Sequence, residues 1–152
     1  MNSKCYINRL VWKEGKKAQI SSYGLPDLEV ATPPEFDGPL GYWSPEQLFV
    51  AAANACLMTT FLAIAENSRL SFESYSSCAT GKLEKMEEGG FQITRIVVKP
   101  RLTLAPGEDM RKASRVIAKS EEHCLIARSI KAQVVMEPEI ILAPETVSAV
   151  GI

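Results

Sequence analysis

The chain has 152 residues, 46% of them hydrophobic and 23% charged, with a formal net charge of -1. That length supports one domain over residues 1–152 with a core of its own. The near-neutral balance gives nucleic acid and anionic membranes no electrostatic footing, so neither is an expected partner.

The opening M-N-S-K-C-Y-I-N-R has no apolar h-region, so no signal peptide is expected and a cytoplasmic location follows. In a reducing compartment the four cysteines, Cys5, Cys56, Cys78 and Cys124, are thiols rather than a disulfide framework. With no C-x-x-C pair and a single histidine, no structural zinc site is expected.

Residues 5–12, C-Y-I-N-R-L-V-W, are rich in strand formers. K-E-G-K-K turns at Gly15, and 18–23 and 28–31 read as two further strands, the first two elements forming a hairpin. Residues 32–43, T-P-P-E-F-D-G-P-L-G-Y-W, hold three prolines and two glycines and read as a long loop.

The longest element follows, over 44–65: S-P-E-Q-L-F-V-A-A-A-N-A-C-L-M-T-T-F-L-A-I-A. Ser44 reads as the N-cap, Pro45 as the first helical residue and Gln47 as the third member of a capping box. A helix this apolar on every side belongs in the middle of a globule or at a subunit interface. Its length also suits a membrane span, against which Glu46, Gln47, Asn54, Thr59 and Thr60 argue.

Residues 71–84 and 91–104 read as a long hairpin closed by E-E-G-G, with Phe72, Ser74, Ser76 and Cys78 on one face. A-P-G-E-D opens a second helix, with Glu108 and Asp109 in its first turn and Met110, Ala113, Val116, Ile117 and Ser120 at helical spacing. S-E-E-H-C-L-I-A-R-S-I-K is a break and a short third helix carrying Cys124. A strand over 132–137 ends at Pro138, and 140–152 forms an edge strand or a tail lying on a partner. The pattern is α+β.

Cys56 reads either as a small buried hydrophobe or as a redox thiol. Cys124 lies near a helix start, with Arg128 and Lys131 in its neighbourhood, a setting that favours thiolate. Periodicity does not say whether the two sulfurs meet. His123 points about 100° away from its neighbour on a helix, and so reads as exposed and non-catalytic.

The run W-S-P-E-Q-L-F-V-A-A-A-N-A-C-L-M-T-T-F, preceded by P-P-E-F-D-G-P-L-G, resembles the OsmC/Ohr family of osmotically inducible and organic hydroperoxide resistance proteins. E-E-H-C-L-I-A-R-S-I-K looks like that family's other cysteine motif, and the resemblance extends over residues 5–140. It implies a strongly curved antiparallel sheet wrapped about a long central helix, in an intertwined homodimer with two active sites at the interface. It implies a thiol-dependent peroxidase acting on organic hydroperoxides, with no metal or organic cofactor. Cys56 takes the peroxidatic role, Cys124 the resolving role, and Glu46 is a site residue. The oxidised form is reduced by dithiols, in several members by lipoylated proteins.

Glu46 and Cys56 are ten residues apart, about 15 Å along one straight helix. Serving one site requires a helix break or a glutamate from the neighbouring subunit; the second is expected. The hydroperoxide-resistance branch carries an arginine in an N-terminal glycine turn, where this chain has W-K-E-G-K-K. Lys13 or Lys16, or Arg9 just before, is the candidate basic partner, although lysine lacks the guanidinium fork. That branch also often has proline where this chain has Leu125. Both departures point to an OsmC-like relative rather than a true hydroperoxide-resistance enzyme.

Phe36, Trp43, Phe49, Leu57, Leu125 and Ile126 are the expected apolar lining, favouring alkyl or lipid peroxides over hydrogen peroxide. A second reading keeps the fold but not the chemistry: a module that binds a small apolar or electrophilic ligand at the dimer interface.

Overall fold

A computed structural model describes residues 2–145. The end of the expected C-terminal tail, 146–152, lies outside the described residues. Two compact units divide the chain, Met1–Phe49 and Val50–Ile152.

In the first unit, β1 (Arg9–Glu14), β2 (Lys17–Ser21) and β3 (Leu28–Ala31) form an antiparallel sheet in that order. Gly15 takes φ +52° in the hairpin turn, and Trp12 Nε1 donates to its carbonyl at 2.9 Å. The first strand therefore lies later than expected, wrapping Trp12 into the turn approach instead of ending there. Every residue of β1 is exposed.

The Pro/Gly-rich stretch is a loop except for one 3-10 turn, Pro34–Phe36. Lys16 clasps the end of that turn, its Nζ donating to the carbonyls of Phe36 and Asp37 at 3.1 and 2.8 Å. Gly38 is required by contact, since a Cβ there would sit 1.6 Å from the Thr32 carbonyl oxygen. Ala31 N–H donates to Trp43 O at 2.9 Å and fixes the loop exit beside β3.

The helix α1 (Pro45–Asn67) begins as its sequence dictates: Gln47 N–H donates to Ser44 Oγ at 3.1 Å. It continues without a break two residues beyond the expected end. By length and composition it is long and apolar enough to cross a membrane. In the fold it buries one stripe, Ala53, Leu57, Phe61 and Ala65, spaced by four residues. Ala52, Ala55, Leu62 and Ala63 stay exposed, so the chain alone covers only part of this apolar rod.

In the second unit β4 (Phe72–Lys85) and β5 (Phe91–Leu104) pair antiparallel, while β6 (Gln133–Met136) and β7 (Glu139–Leu142) run parallel to β5. The sheet is mixed, not antiparallel throughout as expected. The cause is the crossover: the chain leaves β5 through α2 (Met110–His123) and α3 (Leu125–Ser129) before returning beside it. β6 and β7 lie end to end along β5, against Arg95–Val98 and Arg101–Leu104. Pro100, which has no N–H to give, falls in the gap between them.

The core gathers Phe61 and Ala65 of α1, Leu102 and Leu104 of β5, and Val116 and Ile117 of α2. Phe61 stacks on Tyr75, centroids 5.0 Å apart, and meets Phe72 edge-on at 5.3 Å. An irregularity between Phe72 and Ser74 breaks the period of two. Phe72 therefore turns to the core, while Ser74, Ser76 and Cys78 face outward and exposed, correcting the expected shared face.

α2 starts one residue later than its acids suggested. Asp109 is the N-cap, accepting from Arg111 N–H at 2.8 Å, and Glu108 precedes it. Ala113, Val116, Ile117 and Ser120 form its buried stripe; Met110, expected with them, is exposed.

Candidate active site

Cys56 projects from the middle of α1, next to the buried stripe, and is half-buried. Two contacts hold this stretch of helix on the sheet. Ser77 Oγ on β4 donates to Asn54 Oδ1 at 2.6 Å. Gly81, on the same strand, lets the helix come so close that a Cβ would lie 2.4 Å from Val50 Cγ2.

One turn after Cys56, Thr60 stacks over it, with Oγ1 4.0 Å from Sγ. Thr59 Oγ1 instead donates to the Cys56 carbonyl at 3.0 Å.

The second thiol arrives at a bend. Cys124 has extended backbone, φ -65° and ψ 112°, and so ends α2 while capping the start of α3. It lies between the helices rather than on the third one, as the sequence suggested. Arg128 N–H donates to its carbonyl at 3.1 Å. Glu121 Oε1 accepts from Met136 N–H at 3.3 Å and fastens the last turn of α2 to β6. Cys124 is fully buried, and His123 beside it is exposed.

These supports bring the two cysteines together. Ile126 N–H donates to Cys56 Sγ at 3.5 Å, which sets Cys56 against the bend that carries Cys124, and each thiol acts on the titration of the other. Burial pushes the Cys56 thiol up, but Ile126 N–H, the Cys124 thiol, the Thr60 hydroxyl and Leu125 N–H together bring it below its ordinary value. Burial pushes Cys124 up, and the bond and charge of Cys56 push it further; Ala127 N–H and Ile126 N–H pull back less. Of the two sulfurs, Cys56 is thus the one that more readily carries the charge, and Cys124 the one that more readily keeps its hydrogen.

The other expected site residues are distributed differently. Leu57 is fully buried in the core stripe and lines no opening; the next residue along a helix points about 100° away from Cys56. Leu125 is 66% exposed beside the dithiol. Phe36, Trp43 and Phe49 belong to the first unit, where Phe36 ends the 3-10 turn and Trp43 backs Ala31.

Of the basic candidates, Lys16 is committed to the 36–37 carbonyls and to Asp37, while Lys13 and Arg9 are exposed. None of the groups acting on Cys56 in the described chain is a cation. Glu46 lies in the first turn of the unbroken α1, which removes the helix-break route to Cys56. Its Oε2 is shielded and has no hydrogen-bond partner among the described residues.

Thr60 and the Ile126 amide were not anticipated as thiolate donors. The i, i+4 spacing of Cys56 and Thr60 was legible in the sequence. The amide was not, because its approach comes from a segment 70 residues away.

Comparison with known proteins places the chain. The model of the family described as OsmC-like protein matches residues 37–139. The chain belongs to the OsmC-like family. A solved OsmC-like protein of unknown function from Vibrio cholerae superposes with a TM-score of 0.83 at 23% identity, covering 90% of this chain and all of that one. A Legionella pneumophila structure, described as an organic hydroperoxide resistance protein OsmC and predicted redox protein, aligns at 25% identity. Its TM-score is 0.67, with 91% of this chain and 99% of that one covered. The uncharacterized protein YmaD of Bacillus subtilis is 28% identical over 113 residues, 72% of this chain and 75% of its own length. The α+β architecture described above is the OsmC-like fold.

Proposed function

We propose that this OsmC-like protein is a cysteine-based peroxidase for organic hydroperoxides, working in the cytoplasm as a homodimer. The observation that carries the reading is the Ile126 N–H donated to Cys56 Sγ at 3.5 Å, which sets the thiol of α1 against the bend that carries Cys124. Family membership and the likeness to a protein described as an organic hydroperoxide resistance protein support the substrate class.

In the reaction Cys56 thiolate attacks the terminal peroxide oxygen and the O–O bond breaks. The leaving alkoxide takes the proton of Cys124, giving an alcohol, Cys56 sulfenic acid and Cys124 thiolate. Cys124 thiolate then attacks the Cys56 sulfur, the S–S bond forms and hydroxide leaves. A dithiol reductant, such as a lipoylated protein, returns the two electrons and restores both thiols.

The open apolar face of α1 (Ala52, Ala55, Leu62, Ala63) and the exposed Leu10, Val11 and Trp12 of β1 support a second copy as the partner. On this reading Glu46 acts on the Cys56 of the neighbouring subunit, with Lys13 or Arg9 as its basic companion. Leu125, exposed beside the dithiol, lines the approach and favours alkyl over hydrogen peroxide.

The test is steady-state turnover with a dithiol and cumene or tert-butyl hydroperoxide. Turnover is expected for the wild type and not for Cys56→Ser; full turnover in that variant refutes the assignment. The lack of a cation among the groups acting on Cys56 favours a second reading, a ligand-binding module without turnover. Intact mass after one equivalent of peroxide separates the two: loss of two hydrogens marks the enzyme, an unchanged mass the binder.

A further inference from the structure

We infer that Thr60 is a further catalytic residue of this site: its hydroxyl, one helical turn from Cys56 and 4.0 Å from Sγ, donates to the reacting sulfur in place of a charged side chain. The inference deepens the peroxidase reading and rests on it for the word catalytic. The geometry itself stands without that reading.

The helix dictates the pairing. Side chains four residues apart overlie one another, and the Cα–Cβ bonds tilt toward the N-terminus, so Thr60 lies over Cys56. A helical threonine hydroxyl commonly turns back to the carbonyl of residue i−4 or i−3. For Thr60 the i−4 carbonyl is that of Cys56, and Thr59 Oγ1 already occupies it at 3.0 Å. The two neighbouring threonines divide the work: Thr59 takes the carbonyl and Thr60 is left facing the sulfur.

The remaining surroundings make that donor count. Ile126 N–H at 3.5 Å approaches Cys56 from the start of α3, and the Cys124 thiol acts on it from the bend before that helix. Among these donors no cation takes part, so each neutral hydrogen bond carries a larger share of the thiolate's stabilisation. The contact is long for a neutral thiol; ionisation of the sulfur strengthens and shortens such a bond.

The test compares Thr60→Val, which keeps the shape and removes the hydroxyl, with Thr60→Ser, which keeps the hydroxyl, and with Thr59→Val. The readout is the pH profile of iodoacetamide alkylation at Cys56, resolved by peptide mass in a Cys5→Ser, Cys78→Ser background. Thr60→Val is expected to raise the midpoint and slow alkylation at pH 7 about three- to tenfold. Thr60→Ser is expected to restore the wild-type profile, and Thr59→Val, which frees the Cys56 carbonyl for the Thr60 hydroxyl, to shift it in the same direction by less.

A wild-type profile in Thr60→Val overturns the inference, as does a profile in Thr60→Ser that stays as shifted as that of Thr60→Val. Because alkylation needs no peroxide, the outcome separates from the turnover test. A shifted profile in a protein without peroxidase turnover keeps the donor and loses the enzyme. An unshifted profile in an active enzyme does the reverse.

Discussion

The backbone N–H of Ile126 donates to Cys56 Sγ at 3.5 Å, bridging 70 residues of sequence. This contact ties the middle of α1 to the bend between α2 and α3, and it makes the two thiols unequal. At Cys56 the donors outweigh burial and lower the thiol; at Cys124 burial, with Cys56 beside it, outweighs the backbone donors and raises it.

That inequality predicts the titration of variants. Cys124→Ala removes a donor from Cys56, so the pH at which Cys56 becomes reactive to iodoacetamide should rise toward the ordinary thiol value. Cys56→Ala removes the bond and the charge that raise Cys124, so Cys124 should titrate lower than in the wild type. Measured alkylation profiles that move in the opposite directions would contradict this coupling of the two thiols.

Access predicts where a reductant attacks. Cys124 is fully buried, whereas Cys56 is only half-buried. An incoming thiolate should therefore meet the Cys56 sulfur, and Cys124 should leave. The checkable form uses single thiols in a Cys5→Ser, Cys78→Ser background: adding Cys124→Ser should give a protein that forms a mixed disulfide with an aromatic disulfide reagent at least about tenfold faster than adding Cys56→Ser. Equal rates would mean that the bend opens easily.

The contact of α1 with β4 is limited by Gly81. Gly81→Ala sets a methyl 2.4 Å from Val50 Cγ2, and a β-branched valine has little room to turn away. The expected cost is about 1–3 kcal/mol in denaturant unfolding. Val50→Ala in the same chain should recover part of it, because the two residues share one contact. Additive losses would show that the strain lies elsewhere.

Glu108 predicts a pH-dependent stability. Its carboxylate accepts from Ser71 N–H at 2.8 Å and Asp109 N–H at 2.9 Å, with Lys112 Nζ at 3.5 Å. The Ser71 and Asp109 amides, then Lys112, hold its carboxyl below the ordinary value in the folded protein. A depressed acid contributes stability above the unfolded pKa, roughly 4.3, and loses it as pH falls through the folded value. Glu108→Gln should therefore melt below the wild type at neutral pH, and the two melting curves should converge in acid. A gap that stays constant with pH would remove the charge from the explanation.

Much of this molecule was legible in the chain. Ser44, Pro45 and Gln47 specify the start of α1 through local hydrogen bonding and a fixed φ, and neither depends on distant residues. Leu28–Ala31 and Phe91–Leu104 fall where β-branched and apolar residues cluster between turn formers. The two cysteine motifs carried the family. Local order and composition therefore determined the helix, most strands and the family.

Tertiary structure decided the rest. The parallel returns of β6 and β7 depend on where a crossover lands, and the turn of Phe72 into the core on an irregularity in β4; residue patterns do not encode either directly. Which thiol is charged depends on which neighbours reach it through space. The amide of Ile126 is invisible to any reading of side chains along the sequence, and it has meaning only after folding has set it against Cys56.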